Sequence, residues 1–310
     1  MIICIDEASQ FNLEKDYKQD KTYPCVVAVV FPNVSLEKWN ESYSLLSKGS
    51  SIKKSEANEI IEFLAKNKVK AFLSATNFVS TPKNVIEKYR DDYLSSAISS
   101  CKNNPDFARL SVHHHCKILK NLSLPDYVKA MLFIQLIENI IRSFLSNTEA
   151  FKRGDLNSFQ WYSDVMSKKI YPTVCHFVHY SINRNSYRKP IKVDNESNIL
   201  NFLNIEDANK FLDTTKLISS VEFQSDDKFP GIKAADCMAN FFQRILRGSL
   251  KIEKPESLMN LFDMPHSIDL LIFDKDRPYI DVKVSENGKK VLENLMKHPS
   301  SFGKINKRIF

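Results

Sequence analysis

Two short apolar runs open the chain. Ile2 to Ile5 ends in Asp6 and Glu7, and a polar stretch separates it from Cys25 to Phe31. Both runs are rich in β-branched residues and bounded by polar positions, which predicts buried strands. Leu36 to Leu46 and Ser55 to Lys66 carry helical spacing; in the second, Ile60, Ile61, Phe63 and Leu64 share the apolar face. Val69 to Phe78 predicts a third strand. Ser80, Thr81 and Pro82 open a helix that runs to about Ser100, because a hydroxyl cap followed by proline is a common start.

Residues 105–120 fit neither period cleanly. Ser123 to Asp126 has the form of a capping box before the strongest helix of the chain, whose stripe is Met131, Phe133, Ile137, Ile140, Ile141 and Phe144. Beyond a polar stretch, Phe159 to Tyr162 and Ile191 to Val193 have strand character, and Tyr171 to Ile182 and Ile205 to Leu212 helical character. Ile218 to Phe223 predicts a strand and Gly231 to Leu246 a strongly amphipathic helix. After Gly248 the pattern changes. Ile268 to Phe273 and Tyr279 to Val284 predict a hairpin, followed by a helix from about Glu286 to Lys297. Strands first, then helices with isolated strands, suit a mixed α/β domain. The expected organisation is residues 1–248 as that domain, with a helical insertion at about 80–150, and residues 249–310 as a small α+β appendage.

Composition narrows the function classes. The 310 residues are 43% hydrophobic and 26% charged, enough for a buried core. Only 6 are glycine, and none lie close enough for a dinucleotide turn, a P-loop or a nucleophile elbow. The 6 cysteines form no C-x-x-C pair, so zinc-ribbon and redox motifs are absent. Charge interrupts every apolar segment before it could span a bilayer, and the first residues carry no basic leader. These features predict a cytoplasmic protein without a membrane segment. The net charge of +7 suits a polyanionic partner.

Three aspartates stand out by context. Asp6 ends an apolar strand, Asp194 ends Ile191-Lys192-Val193, and Asp236 sits among small and apolar residues of the Gly231–Leu246 helix. A carboxylate on a packed face is costly to desolvate without a partner. Carboxylates converging from separate elements provide the hard oxygen donors that magnesium takes.

The same segments resemble a known family. The run Ile3-Cys4-Ile5-Asp6-Glu7-Ala8-Ser9 resembles the opening of the family named domain of unknown function 3800. Ile191 to Ser197 resembles its central strand motif, and Phe223 to Asp227 with Gly231 to Asp236 its late motif. The resemblance implies a ribonuclease-H-like mixed sheet flanked by helices. It further implies a magnesium- or manganese-dependent nuclease, with a role in defence against foreign nucleic acid. Carried onto this chain, Asp6, Asp194 and Asp236 are the catalytic and metal-ligating candidates, with Glu7 and Glu196 secondary ligands. Lys233 stands where the family has glutamine, and Lys48 to Lys54 occupies about the region where it often has an acid. These departures favour an alternative: a catalytically degenerate fold that binds nucleic acid or a protein partner, with homo-oligomerisation also open.

The interval between Asp164 and Asp194 holds no acid. It carries Lys168, Lys169, Arg184, Arg188, Lys189 and Lys192, interleaved with Tyr171, Phe177, Tyr180 and Tyr187. Cations for phosphates and aromatics for base stacking predict a nucleic-acid groove; aromatics turned into the core are the competing reading. His113, His114 and His115 in a strand would face alternate sides and could not share a metal. They and His176 with His179 read as structural. Asp269 with Asp281 and Lys283 offers a rival, restriction-like nuclease pattern.

Overall fold

A computed structural model describes residues 1–8, 24–43, 46, 48–76, 82–102, 106–146, 160–164, 168–178, 192–195, 198–201, 221–225, 228–264, 266–271, 273 and 290. It is a mixed α/β structure. Strands β1 (Ile2–Ala8), β2 (Cys25–Phe31) and β3 (Lys70–Ala75) form an antiparallel meander. Beside β1, strand β4 (Gln160–Asp164) pairs in parallel, and β7 (Val221–Gln224) pairs in parallel with β4. At the other edge β8 (Ile268–Leu270) runs parallel to β3. The order is therefore β7-β4-β1-β2-β3-β8. Strands β5 (Lys192–Asn195) and β6 (Asn198–Asn201) make a separate two-stranded sheet.

Helices cover both faces, and the central strand β2 is apolar throughout, with every residue buried. This is the continuous apolar run expected of a strand covered on two sides. On one face lie α1 (Asn33–Tyr43), α2 (Lys54–Lys66), α7 (Pro230–Leu246) and α8 (Pro255–Leu261). On the other lie α3 (Lys83–Ser100), α4 (Asp106–Asn121), α5 (Leu124–Ser146) and α6 (171–178). The alternation of β1 divides accordingly: Ile3 and Ile5 enter the α5 side, Cys4 and Ala8 the α7 side.

Ser123 caps α5 as its sequence predicts, its hydroxyl accepting the Asp126 N–H at 3.3 Å and donating to the Asp126 carboxylate at 2.7 Å. The stripe from Met131 to Phe144 is buried. Three polar residues of α5 reach three different strands. Lys129 pairs with Glu7 of β1, Gln135 accepts from Ser74 of β3, and Asn139 donates to Asp269 of β8 at 3.1 Å.

Helix α7 is held unusually close to the sheet. A Cβ built on Gly231 would lie 2.3 Å from Cys4 Sγ of β1. A 3-10 turn (Gly49–Ser51) packs on the helix so tightly that a Cβ on Gly49 would meet the Cys237 Cα at 2.8 Å. Trp39 of α1 donates to the Pro230 carbonyl at 2.7 Å, and the Cys25 thiol of β2 donates to the Ala239 carbonyl at 3.5 Å.

Several sequence expectations change. Residues 106–121 are helical, so the three consecutive histidines sit on α4 rather than on a strand. The boundary expected near residue 249 is no break in the packing: Leu250, Leu258, Leu261 and Phe262 belong to the α7-side core, and β8 joins the main sheet. Helix 205–212, strand 279–284 and all but Lys290 of helix 286–297 lie outside the described residues.

The close approach of α7 generates a test. Gly231→Ala gains up to about 1 kcal/mol of helix propensity, but overpacking a filled site costs about 1–3 kcal/mol. The clash with Cys4 should win, so Gly231→Ala lowers the urea midpoint, and Gly231→Ala combined with Cys4→Ala restores part of the loss. A higher midpoint for the single variant would show that α7 has room to move outward.

Candidate functional site

The parallel pairing of β1 and β4 places Ile5 opposite Ser163. One residue further along each strand stand Asp6 and Asp164. In β1 the alternation that sends Cys4 and Ala8 toward α7 sends Asp6 the same way. In β4, Trp161 enters the α5 side and Tyr162 packs on the α7 side, so Asp164 shares the face of Asp6. Strand β7 continues the row, with Gln224 opposite Asp164. Above this row lies α7, which carries Asp236 in its second turn. Two carboxylates at neighbouring strand ends thus face a third on the covering helix.

Each carboxylate has a defined environment. Asp6 is 7% exposed, and its Oδ1 accepts the Glu7 N–H at 2.7 Å. Burial pushes the Asp6 carboxyl well above the usual carboxylate range, and the negative charges of Glu7 and Asp236 push it further. The Glu7 N–H pulls the other way, and Asp164 adds a further upward push. Asp236 and Asp164 are therefore near enough for their charges to act on Asp6. Asp236 is oriented from two sides: Gly49 N–H donates to Oδ2 at 2.8 Å and Asn240 Nδ2 donates to Oδ1 at 2.7 Å. The i+4 spacing of Asn240 gives it this reach. Among the described residues no three carboxylate, imidazole or thiol groups stand together at the distances of one ion's ligands. The donor chemistry of Asp6, Asp164 and Asp236, three carboxylates, is of the kind a hard divalent cation takes.

The structure brings together some of the sequence candidates and separates others. Asp6 and Asp236 lie on the same side of the sheet, near enough for the Asp236 charge to act on Asp6. Glu7 points to the opposite face, where it pairs with Lys129, itself 8% exposed. Asp194 does not end a strand of the main sheet; it lies in β5, opposite Ile199 of β6. Glu196 is outside the described residues. Asp164 is the residue that sequence reasoning missed. Its signal was an acid closing a short strand, as with Asp6, but nothing local says that β4 pairs with β1.

Of the basic interval, Lys168 and Lys169 are exposed, and Lys192 lies in β5. Arg184, Arg188 and Lys189 are outside the described residues, as are Tyr180 and Tyr187. Tyr171 and Phe177 are 3% and 1% exposed, so they serve the core and not base stacking. An aromatic pair does flank the candidate site: Tyr162 of β4 and Phe229, just before α7, stack with ring centroids 3.9 Å apart. His115 and His176 also stack, at 3.9 Å, joining α4 to α6. Asp269 is on β8, three strands from β1, while Asp281 and Lys283 lie outside the described residues. All six cysteines are buried, and none takes part in a disulfide. Among the described residues no helix is long and apolar enough to cross a membrane.

A carboxyl whose folded pKa is raised binds its proton more tightly in the folded state, so its stabilising effect is present below the unfolded value of about 3.9 and lost as pH rises. Asp6→Asn keeps an acceptor for Glu7 N–H and removes the buried charge. In chelator it should therefore raise the denaturation midpoint at pH 7.5, and the gain should shrink toward zero near pH 4. A gain that does not vary with pH would assign the effect to packing. Comparison of the chain with known protein families, with curated proteins and with solved structures finds no match.

Proposed function

We propose that the protein is a divalent-metal-dependent nuclease built on a ribonuclease-H-like domain, with Asp6, Asp164 and Asp236 as its acidic centre. The observation that carries this reading is the register of the parallel β1–β4 pair, which sets Asp6 beside Asp164 beneath Asp236. The sheet supports the fold part: an antiparallel meander is continued by two parallel strands, and the third acid rides on the helix after the last of them.

The residues divide the work. Asp6, buried between the other two, provides the central carboxylate. Asp164 and Asp236 hold its flanks, and Gly49 and Asn240 fix the plane of the Asp236 carboxylate by a hydrogen bond to each oxygen. Magnesium or manganese held there would polarise a phosphodiester and supply the nucleophile at neutral pH. The glutamine at 224 offers a neutral hydrogen-bonding group at the edge of the row, and the Tyr162–Phe229 stack an apolar wall. Six cysteines without a disulfide accord with a cytoplasmic setting.

A second reading is favoured by the engagement of both Asp236 oxygens and by Lys48 to Lys54 beside the site. In it the fold binds nucleic acid without cutting it. Manganese titration separates the two. In the nuclease reading, manganese raises the melting temperature, and Asp6→Asn, Asp164→Asn or Asp236→Asn abolishes the shift and lowers oligonucleotide cleavage at least about 100-fold, the scale of losing a preorganised electrostatic group. Asp194→Asn should leave both readouts near wild type. A full loss in Asp194→Asn with normal behaviour in Asp164→Asn would overturn the assignment of the second carboxylate.

A further inference from the structure

We infer that the loop Lys48–Lys54 is a binding site for the phosphate backbone of a single-stranded nucleic acid, placed to hold the strand beside the acidic centre. This inference deepens the nuclease reading and rests on it for the position of the scissile phosphate. The loop stands immediately next to Asp236, because Gly49 N–H is bonded to that carboxylate. It is anchored at two points, Gly49 and Ile52. Gly49 fits only because it has no side chain above Cys237, and the Ile52 carbonyl accepts from Arg244 Nη1 of α7 at 2.8 Å. The two anchors, Gly49 and Ile52, are buried, whereas Lys48, Ser50, Ser51, Lys53 and Lys54 are exposed.

The composition of the loop is suited to phosphate. No acid occurs from Ser42 to Ser55, an interval with three lysines. Three lysines and two hydroxyls on a backbone pinned to the helix of the acidic centre form a cationic rim to an anionic floor. An anionic backbone that approaches the carboxylates is repelled by them; the lysines offset that repulsion on one side only. The strand is thereby drawn along the loop, with one phosphate toward the carboxylates and its neighbours against Lys48 and Lys53. Lysine contacts of this kind position a strand without reading its bases. On the far side the Tyr162–Phe229 stack can take an unpaired base, which favours a single strand over a duplex.

The test is fluorescence anisotropy of labelled 20-nucleotide DNA and RNA single strands of one sequence, titrated with full-length protein across a potassium chloride series. Wild type is compared with Lys48→Ala/Lys53→Ala/Lys54→Ala, and with Lys38→Ala/Lys66→Ala/Lys68→Ala as a control of equal charge. The control lysines are also exposed; Lys66 and Lys68 lie at and just beyond the far end of α2, about 20 Å long for 13 residues, and Lys38 lies on α1. The loop variant should flatten the plot of log affinity against log salt by about 2, at about 0.7 for each phosphate no longer neutralised. The control should keep most of the wild-type slope. DNA and RNA should respond alike. Equal losses in the two triple variants, or no binding of either strand by wild type, would overturn the proposal. The manganese-induced melting shift is read in parallel. A shift retained in the loop variant shows the fold and acidic centre intact, and its absence from wild type would sink the metal reading while the anisotropy series still judged the loop.

Discussion

The contact on which the site depends is the close approach of α7 to β1. Two glycines make it: Gly231 lets the helix settle onto Cys4, and Gly49 lets the 3-10 turn settle onto the helix. Remove either approach and Asp236 moves away from Asp6 or loses the N–H that orients it. Holding Asp6 there is electrostatically unfavourable, first through its burial and then through the charges of Glu7 and Asp236. The packing around it, the Trp39 bond to Pro230 and the α1, α2 and α8 core, supplies the compensating energy. Fully burying one large aliphatic or aromatic side chain contributes about 1.5–3 kcal/mol, so several such residues suffice to hold one strained charge.

How far the sequence reveals this depends on the range of the interactions involved. Asp6 was legible because an acid interrupting Ile-Cys-Ile is anomalous within five residues. Asp236 was legible because an acid amid alanines on a helix face is anomalous within one turn. Asp164 was not, since its meaning comes from a parallel partner more than 150 residues away, and periodicity carries no information about strand partners. Asp194 illustrates the converse: the strand pattern of Ile-Lys-Val was genuine, but β5 pairs locally with β6 and stays outside the main sheet.

The same distinction separates helices from their contents. The stripe of α5 and the cap at Ser123 follow from local periodicity alone. Residues 106–121 defeated it because three histidines and flanking lysines blur both periods, while the helix is fixed by Val112, Cys116 and Leu119 in the α5-side core. The aromatics of the basic interval had two readings, and Tyr171 and Phe177 went to the core, since their ring area is worth more there than in water. After α8, β8 returns to the far edge of the sheet, a pairing that no change in composition announces.

The polar residues of α5 have a consequence for how the two halves of the sheet are kept in register. Lys129, Gln135 and Asn139 span 10 residues, a rise of about 15 Å along a helix. The strands they reach, β1, β3 and β8, span three inter-strand intervals, about 14 Å. The helix thus works as a ruler laid across the sheet, with its polar marks matched to strand spacing. A wholly apolar α5 could slide or rotate by a residue at little cost, because one apolar contact resembles the next. Slipping this one would break the Lys129–Glu7 pair and the Ser74–Gln135 and Asn139–Asp269 bonds, in which Lys129, Ser74, Gln135 and Asn139 are buried. The edge that carries β8 and the strand that carries Asp6 are therefore indexed to each other through a single helix.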